Sequence, residues 1–272
     1  MKAVNRFVSF FRCCTNGNEP NGDQYLQPLN LFNPRSGVSV EDLVEQSSAA
    51  REKLWSSLGT LEPFALSQNL SAAAATGPKW PALQQSFRLI HRPNGSVLLV
   101  SDGLSDPFDD VQESGGNVNG YSLEFFIETP ASELGTSPAD VKASWQFQLL
   151  FTVSQLAAGH GSIRSIIDDM ELLSTEAEGV AEAVPEAARG AHVNRAGRVG
   201  ALLGLHDHSM GIPAFIPNMP LTDVRLVNIK LISLAELKLI TDRGAHGRRR
   251  LAELFAAQPG ALVSSLERPS VL

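Results

Sequence analysis

The amino-acid sequence predicts an α+β domain with a mixed, mainly antiparallel β-sheet packed with helices. Three observations lead to this class. Two short apolar runs flank a Pro-Asn-Gly turn at residues 93–95, which is typical of a β-hairpin. Apolar residues recur at helical spacing in segments before and after the hairpin. The 272 residues are 43% hydrophobic and 19% charged, a composition typical of globular proteins long enough to bury a large core.

Four segments carry the apolar spacing of helices, at residues 41–58, 138–158, 234–240 and 248–257. Ser39 and Ser233 directly precede helical patterns and are the predicted N-caps of the first and third helices. The second segment is expected to form one long, largely buried helix. Gly159 occupies the position of its C-cap.

Five segments are predicted to be β-strands, at residues 87–92, 96–101, 121–128, 198–205 and 223–232. The third is rich in aromatic and β-branched residues, and Thr129-Pro130 is expected to end it. Residues 175–197 contain mainly Ala, Glu, Gly and Arg, without aromatic residues. They are therefore predicted to be a surface insertion.

Residues 1–37 are predicted to be an N-terminal segment and linker, and residues 38–272 to form one domain. Residues 1–14 lack the continuous apolar run of a signal peptide; they either pack against the protein or lie on a membrane as a short amphipathic helix. No segment approaches the ~20 apolar residues of a spanning helix. The two cysteines, Cys13 and Cys14, are adjacent and poorly placed to bridge each other. A cytoplasmic location is expected.

The formal net charge of the chain is −7. A negative field repels nucleic-acid phosphates and attracts basic proteins. The charge therefore argues against nucleic acid as a ligand and favours a basic protein partner.

Candidate catalytic patterns are weak. His206, Asp207 and His208 could contribute to a zinc or iron site, but a third ligand would have to come from elsewhere, with His160 as one candidate. The alternative is a polar loop between two strands. The nucleophile elbow and the phosphate-binding glycine motifs do not occur in convincing form. The chain is expected not to be an enzyme and to need no cofactor or metal. A metal-dependent hydrolase built on the two histidines is the less favoured alternative.

An acidic loop after the second strand has two interpretations. In the first, Asp106 or Ser105 caps a turn and Gly103 supplies an unusual backbone dihedral. In the second, its carboxylates and Phe108 form an acidic patch with an aromatic anchor for a basic partner. The calcium-loop motif is absent. The predicted partner-binding residues are Asp102, Asp106, Phe108, Asp109, Asp110, Tyr121 and Glu124.

Several motifs in residues 85–255 resemble the Suppressor of fused domain. Residues 96–110 form an apolar strand that leads into Gly-Leu-Ser-Asp, and residues 120–127 follow with Gly-Tyr-Ser-Leu-Glu-Phe. Residues 227–240 are similar to the closing strand of that family and its Ser-x-x-Glu-Leu helix start, and residues 145–156 to its tryptophan-led helix. No counterpart is evident before about residue 61.

This resemblance implies a protein-binding role without catalysis. In animals the family restrains transcription factors; in bacteria its usual setting is that of an immunity protein against a polymorphic toxin. The expected function is therefore binding and neutralisation of a cognate bacterial toxin from a polymorphic or secretion-system locus. The alternative is an intracellular adaptor or regulatory binder of another protein.

Overall fold

The structure is a computed structural model, and it describes residues 38–67, 80, 85–107, 118–161 and 163–272. Seven α-helices lie in this part of the chain: α1 (Val40–Leu58), α2 (Pro138–Ala143), α3 (Trp145–His160), α4 (Ile163–Met170), α5 (Glu186–His192), α6 (Leu234–Arg243) and α7 (Ala245–Ala256). Nine strands accompany them: β1 (Thr60–Leu61), β2 (Leu66–Ser67), β3 (Ser86–His91), β4 (Ser96–Asp102), β5 (Leu123–Pro130), β6 (Leu173–Ala177), β7 (Val199–Leu203), β8 (Phe215–Ile216) and β9 (Val224–Leu231).

All nine strands belong to one sheet with the order β1-β3-β4-β5-β9-β7-β6, and β2 and β8 pair with β3 and β9 respectively. Only β5 and β9 run parallel to each other; the other pairs are antiparallel. The predicted fold class, α+β with a mixed, mainly antiparallel sheet, is confirmed.

Helices pack on both faces of the sheet. Successive side chains of a strand point to opposite faces, so Leu98 and Leu99 of β4 join different hydrophobic clusters. The cluster of Leu99 includes Phe147 of α3. The cluster of Leu98 includes Trp55 of α1 and Phe255 of α7. Strands β4 and β5 are buried at nearly every position because helices cover both of their faces.

The predicted long helix at residues 138–158 is wrong, because Ser144 divides it into α2 and α3. Ser144 has extended dihedrals (φ −71°, ψ 152°), and its hydroxyl accepts a hydrogen bond from the Phe147 amide at 3.2 Å. It also donates to the carbonyl of Val141 at 2.7 Å, so one serine closes α2 and caps α3. Helix α3 ends before Gly161 (φ +75°) and not at Gly159.

The predicted surface insertion at residues 175–197 is wrong at its start, whereas most side chains of residues 178–197 are exposed. Thr175 and Ala177 belong to β6, which pairs with β7 and is buried at four of five positions. Val180 and Val184 are buried in the same hydrophobic cluster as Phe147. Small and hydroxyl side chains occupy the interior positions of β6. The amino-acid composition of this strand therefore resembled that of a surface segment.

Other predicted elements agree with the structure. Ser39 and Ser233 each cap a helix in a reciprocal capping box, with Asp42 and Glu236 respectively. The β3–β4 hairpin occurs as expected, whereas β5 continues through Pro130. Residues 1–37 lie outside the described residues. None of the helices that the structure describes is both long enough and apolar enough to cross a membrane.

Candidate functional site

A buried ionic cluster lies where α1 meets the end of β4. Arg51 of α1 is 2% exposed, and its Nε donates to Asp102 Oδ1 at 2.6 Å. Its Nη1 donates to Ser105 Oγ at 3.2 Å and lies 2.5 Å from Asp106 Oδ1 in an ion pair. One guanidinium thus joins the last residue of β4 to the turn that follows it.

Glu124 of β5 binds the same turn from the other side and is completely buried. Its Oε1 accepts hydrogen bonds from the Gly103 amide at 3.0 Å, the Ser105 amide at 3.0 Å and the Ser105 hydroxyl at 2.7 Å. Its Oε2 accepts from the Ser101 hydroxyl at 2.5 Å. Gly103 has φ +133°, which favours glycine. The unusual dihedral predicted for Gly103 is confirmed, whereas the side chains of Ser105 and Asp106 bind Glu124 and Arg51 in place of the predicted turn cap.

The cluster contains three carboxyl groups and one guanidinium, and burial raises the pKa of two of the carboxyls. Burial raises the pKa of Glu124 to about 7, against the opposing effects of Arg51 and the serine hydrogen bonds. Burial also raises the pKa of Asp106. Although burial alone would lower it, Asp102, Glu124 and Asp106 together raise the pKa of Arg51, which therefore stays charged. The cluster has more carboxyl groups than cations, so its net charge depends on whether Glu124 is protonated.

Asn119 fixes the chain where it returns to the sheet. The side chain is fully buried, and its Nδ2 donates to Ser47 Oγ at 2.8 Å and to the Ser105 carbonyl at 3.2 Å. Its Oδ1 accepts from the amides of Leu221 and Thr222 at 2.9 and 3.0 Å. The segment from residue 107 to residue 118 therefore begins directly after the turn at Ser105. It ends next to Asn119, which is hydrogen-bonded to the same turn.

We expect Asn119→Ala to lower the free energy of unfolding by roughly 2 kcal/mol, because two amides and one carbonyl would lose their buried partner. Chemical denaturation at neutral pH measures this change. Gln258→Ala is a suitable control because Gln258 is exposed and lies just beyond α7; a change within about 0.5 kcal/mol is expected there. Equal losses in both variants would contradict the anchoring role of Asn119.

The structure brings together three of the predicted partner-binding residues and withdraws two of them from the surface. Asp102, Asp106 and Glu124 meet at Arg51, but Glu124 is 0% exposed and Asp106 is 7% exposed. The prediction that these two carboxylates contact a partner directly is therefore corrected: they stabilise the turn. Tyr121 is half-buried and packs against the core. The remaining three, Phe108, Asp109 and Asp110, lie outside the described residues.

Sequence reasoning missed Arg51 and Asn119. Arg51 shares the buried face of α1 with Ser47, Leu54, Trp55 and Leu58. A charge on the apolar face of an amphipathic helix signals a buried partner, and this pattern could have identified Arg51. No comparable pattern surrounds Asn119, because its partners come from positions far away in the chain.

The two histidines proposed as metal ligands lie together. His206 Nε2 and His208 Nδ1 are 3.2 Å apart, and burial, followed by the nearby His208, lowers the pKa of His206. Asp207 Oδ1 instead accepts hydrogen bonds from the amide and hydroxyl of Ser209. In the described ranges, no group of three or more His, Cys, Asp or Glu side chains could hold a metal ion. The hydrolase alternative thus lacks its third ligand there.

No protein-family model and no curated protein matches the sequence. The resemblance to the Suppressor of fused domain stays a prediction based on its motifs. In the structure, the strands that carry these motifs, β4, β5 and β9, are neighbours in the sheet.

Proposed function

We propose that this chain is a non-catalytic protein-binding module of the Suppressor of fused type, and that it acts as an immunity protein that neutralises a cognate bacterial toxin. The observation that carries the proposal is the buried cluster that fixes both ends of the acidic segment at residues 107–118. The motif resemblance and the negative charge of the chain point in the same direction.

Different side chains support the two ends of this segment, and both sets bond to Ser105. Arg51 and Glu124 hold the turn that enters it, and Asn119 holds the exit. Binding residues commonly lie on loops that a rigid scaffold positions. Phe108, Asp109 and Asp110 fall between these supports in the sequence. An aromatic residue with neighbouring carboxylates suits a basic protein surface.

The carboxylates therefore divide into two groups. Glu124 uses both oxygens to accept four hydrogen bonds, and Asp106 forms an ion pair with Arg51, so their chemistry serves the scaffold. Asp109 and Asp110 are the proposed contacts with the toxin. The net charge of −7 would speed the encounter with a basic toxin and make the association rate sensitive to salt.

The proposal predicts that co-expression of this protein protects bacteria from the toxin encoded beside its gene. Asp109→Lys with Asp110→Lys is expected to abolish protection and to weaken toxin binding by roughly 100-fold, because like charges then face each other in the complex. The control, Asp169→Lys with Glu182→Lys, makes the same change in net charge at exposed positions of other elements and should retain protection.

Growth after toxin induction and the affinity of the purified pair provide the two measurements. Failure to protect against every toxin encoded beside the gene would overturn the immunity role. Full protection by the Asp109 and Asp110 variant would reject the acidic segment as the contact surface.

A further inference from the structure

A cavity of about 370 Å³ lies between β9, the end of α7 and the C-terminal segment of the chain. Its walls include Lys230, Phe255, Val263, Ser265 and Arg268, and its lining residue Gln258 is exposed, so the cavity reaches solvent. This volume falls in the range of small-molecule sites, ~300–1,000 Å³. Its lining residues include no member of the Arg51 cluster, so a ligand of this cavity would be independent of the proposed function.

Two cations face the same aromatic ring at this cavity. Lys230 Nζ lies 4.8 Å from the centre of the Phe255 ring, and Arg268 Cζ lies 4.9 Å from it. Arg268 is neutralised by Glu236 in a bidentate ion pair with two contacts of 2.8 Å. Lys230 is only 1% exposed and has no ion pair with any residue that the structure describes. Lys230 therefore lies at the cavity without a direct ion-pair partner among the described residues.

Both cations also retain unused hydrogen-bond donors. An ammonium has three N–H groups, and the Lys230 ammonium donates one hydrogen bond, to the carbonyl of Val263. The Nε of Arg268 is buried and has no hydrogen-bond partner among the described residues. Buried donors without acceptors are unfavourable, and an anionic acceptor would satisfy them.

We propose that this cavity binds a small organic carboxylate with an aromatic or branched apolar body. Its two oxygens would accept from Lys230 and Arg268. The body would pack on Phe255, Ala261 and Val263, which supply the apolar walls. A planar carboxylate matches the few donors present, whereas a phosphate dianion would need more donors and would gain nothing from these walls.

The protonation of Lys230 supports this assignment. It also predicts a pH dependence of binding that can be measured. Burial, followed by the charge of Arg268, lowers the pKa of Lys230 to about 7, while Glu236 and Glu128 oppose the shift. A bound carboxylate requires the ammonium form. The dissociation constant should therefore rise as the protonated fraction of Lys230 falls, by roughly thirtyfold between pH 6 and pH 8.5.

The test is titration of the full chain with benzoate, benzyl alcohol and inorganic phosphate, followed by calorimetry and by amide NMR shifts. Saturable benzoate binding that shifts the amides of residues 258–268 and weakens with rising pH is the expected result. Benzyl alcohol and phosphate should bind at least tenfold more weakly. No saturation by benzoate, or equal binding of either comparison compound, would overturn the proposal.

A variant pair tests the role of the ammonium. Lys230→Met removes the charge and should weaken benzoate binding at least tenfold. Lys238→Met makes the same change at an exposed side chain of α6 and should leave binding unchanged. Unchanged binding in a folded Lys230→Met protein would reject the site. If Lys230→Met does not fold, the pH dependence and the benzyl alcohol comparison in the unmodified chain decide the question.

Discussion

Arg51→Met is expected to lower the free energy of unfolding by about 3–5 kcal/mol. The substitution keeps an unbranched side chain of similar length but removes the only cation in contact with Asp102 and Asp106 among the described residues. Asp106 would then remain buried and Asp102 partly buried, both without a cation and beside Glu124. Domains of this kind have total stabilities of about 5–15 kcal/mol, so the variant should be largely destabilised.

Urea denaturation at pH 7 measures this loss. Arg250→Met is the matched control, because Arg250 and its partner Glu253 are 55% and 65% exposed and such pairs contribute at most about 1 kcal/mol. A loss for Arg51→Met no larger than that of the control would show that the cluster does not stabilise the fold.

Glu124→Gln is expected to change the pH dependence of stability. Burial raises the pKa of Glu124 from 4.5 to about 7 in the folded state, so between these values the folded protein binds more protons than the unfolded chain. Wild-type stability from this group is therefore lost as pH rises through that window. Gln does not titrate. The free energy of unfolding of the variant minus that of the wild type should rise by about 3 kcal/mol from pH 4.5 to 7.5.

This difference is measured by denaturation at several pH values. Taking the difference removes contributions that are common to both proteins, such as that of Asp106, whose pKa is raised as well. Glu182→Gln, at an exposed position, should show a flat difference over the same range. A flat difference for Glu124→Gln would mean that the carboxyl of Glu124 binds protons equally in the folded and unfolded states, which would contradict the raised pKa.

Local patterns in the sequence were sufficient for much of the fold. The hairpin follows from its Pro-Asn-Gly turn, and the starts of α1 and α6 follow from Ser39 and Ser233, because each pattern acts within four residues. The division of the predicted 138–158 helix into two helices was harder to predict from the sequence. Ser144 is compatible with a helix interior, and only its hydrogen bonds to Val141 and Phe147 show that it separates two helices.

Long-range contacts determine what the sequence could not predict. Glu176 and Ala177 lie in a strand because they pair with β7, although neither side chain favours strands. The acidic turn was correctly noticed, but its carboxylates were assigned to the surface. Their burial depends on Arg51, which lies more than 50 residues away from Asp102 and Ser105 in the chain.

The proposal that residues 107–118 bind a toxin is tested most directly by amide hydrogen exchange, measured with and without the toxin encoded beside the gene. We expect toxin binding to slow amide exchange most strongly within residues 107–118. Slowed exchange confined to other segments, with residues 107–118 unchanged, would contradict it.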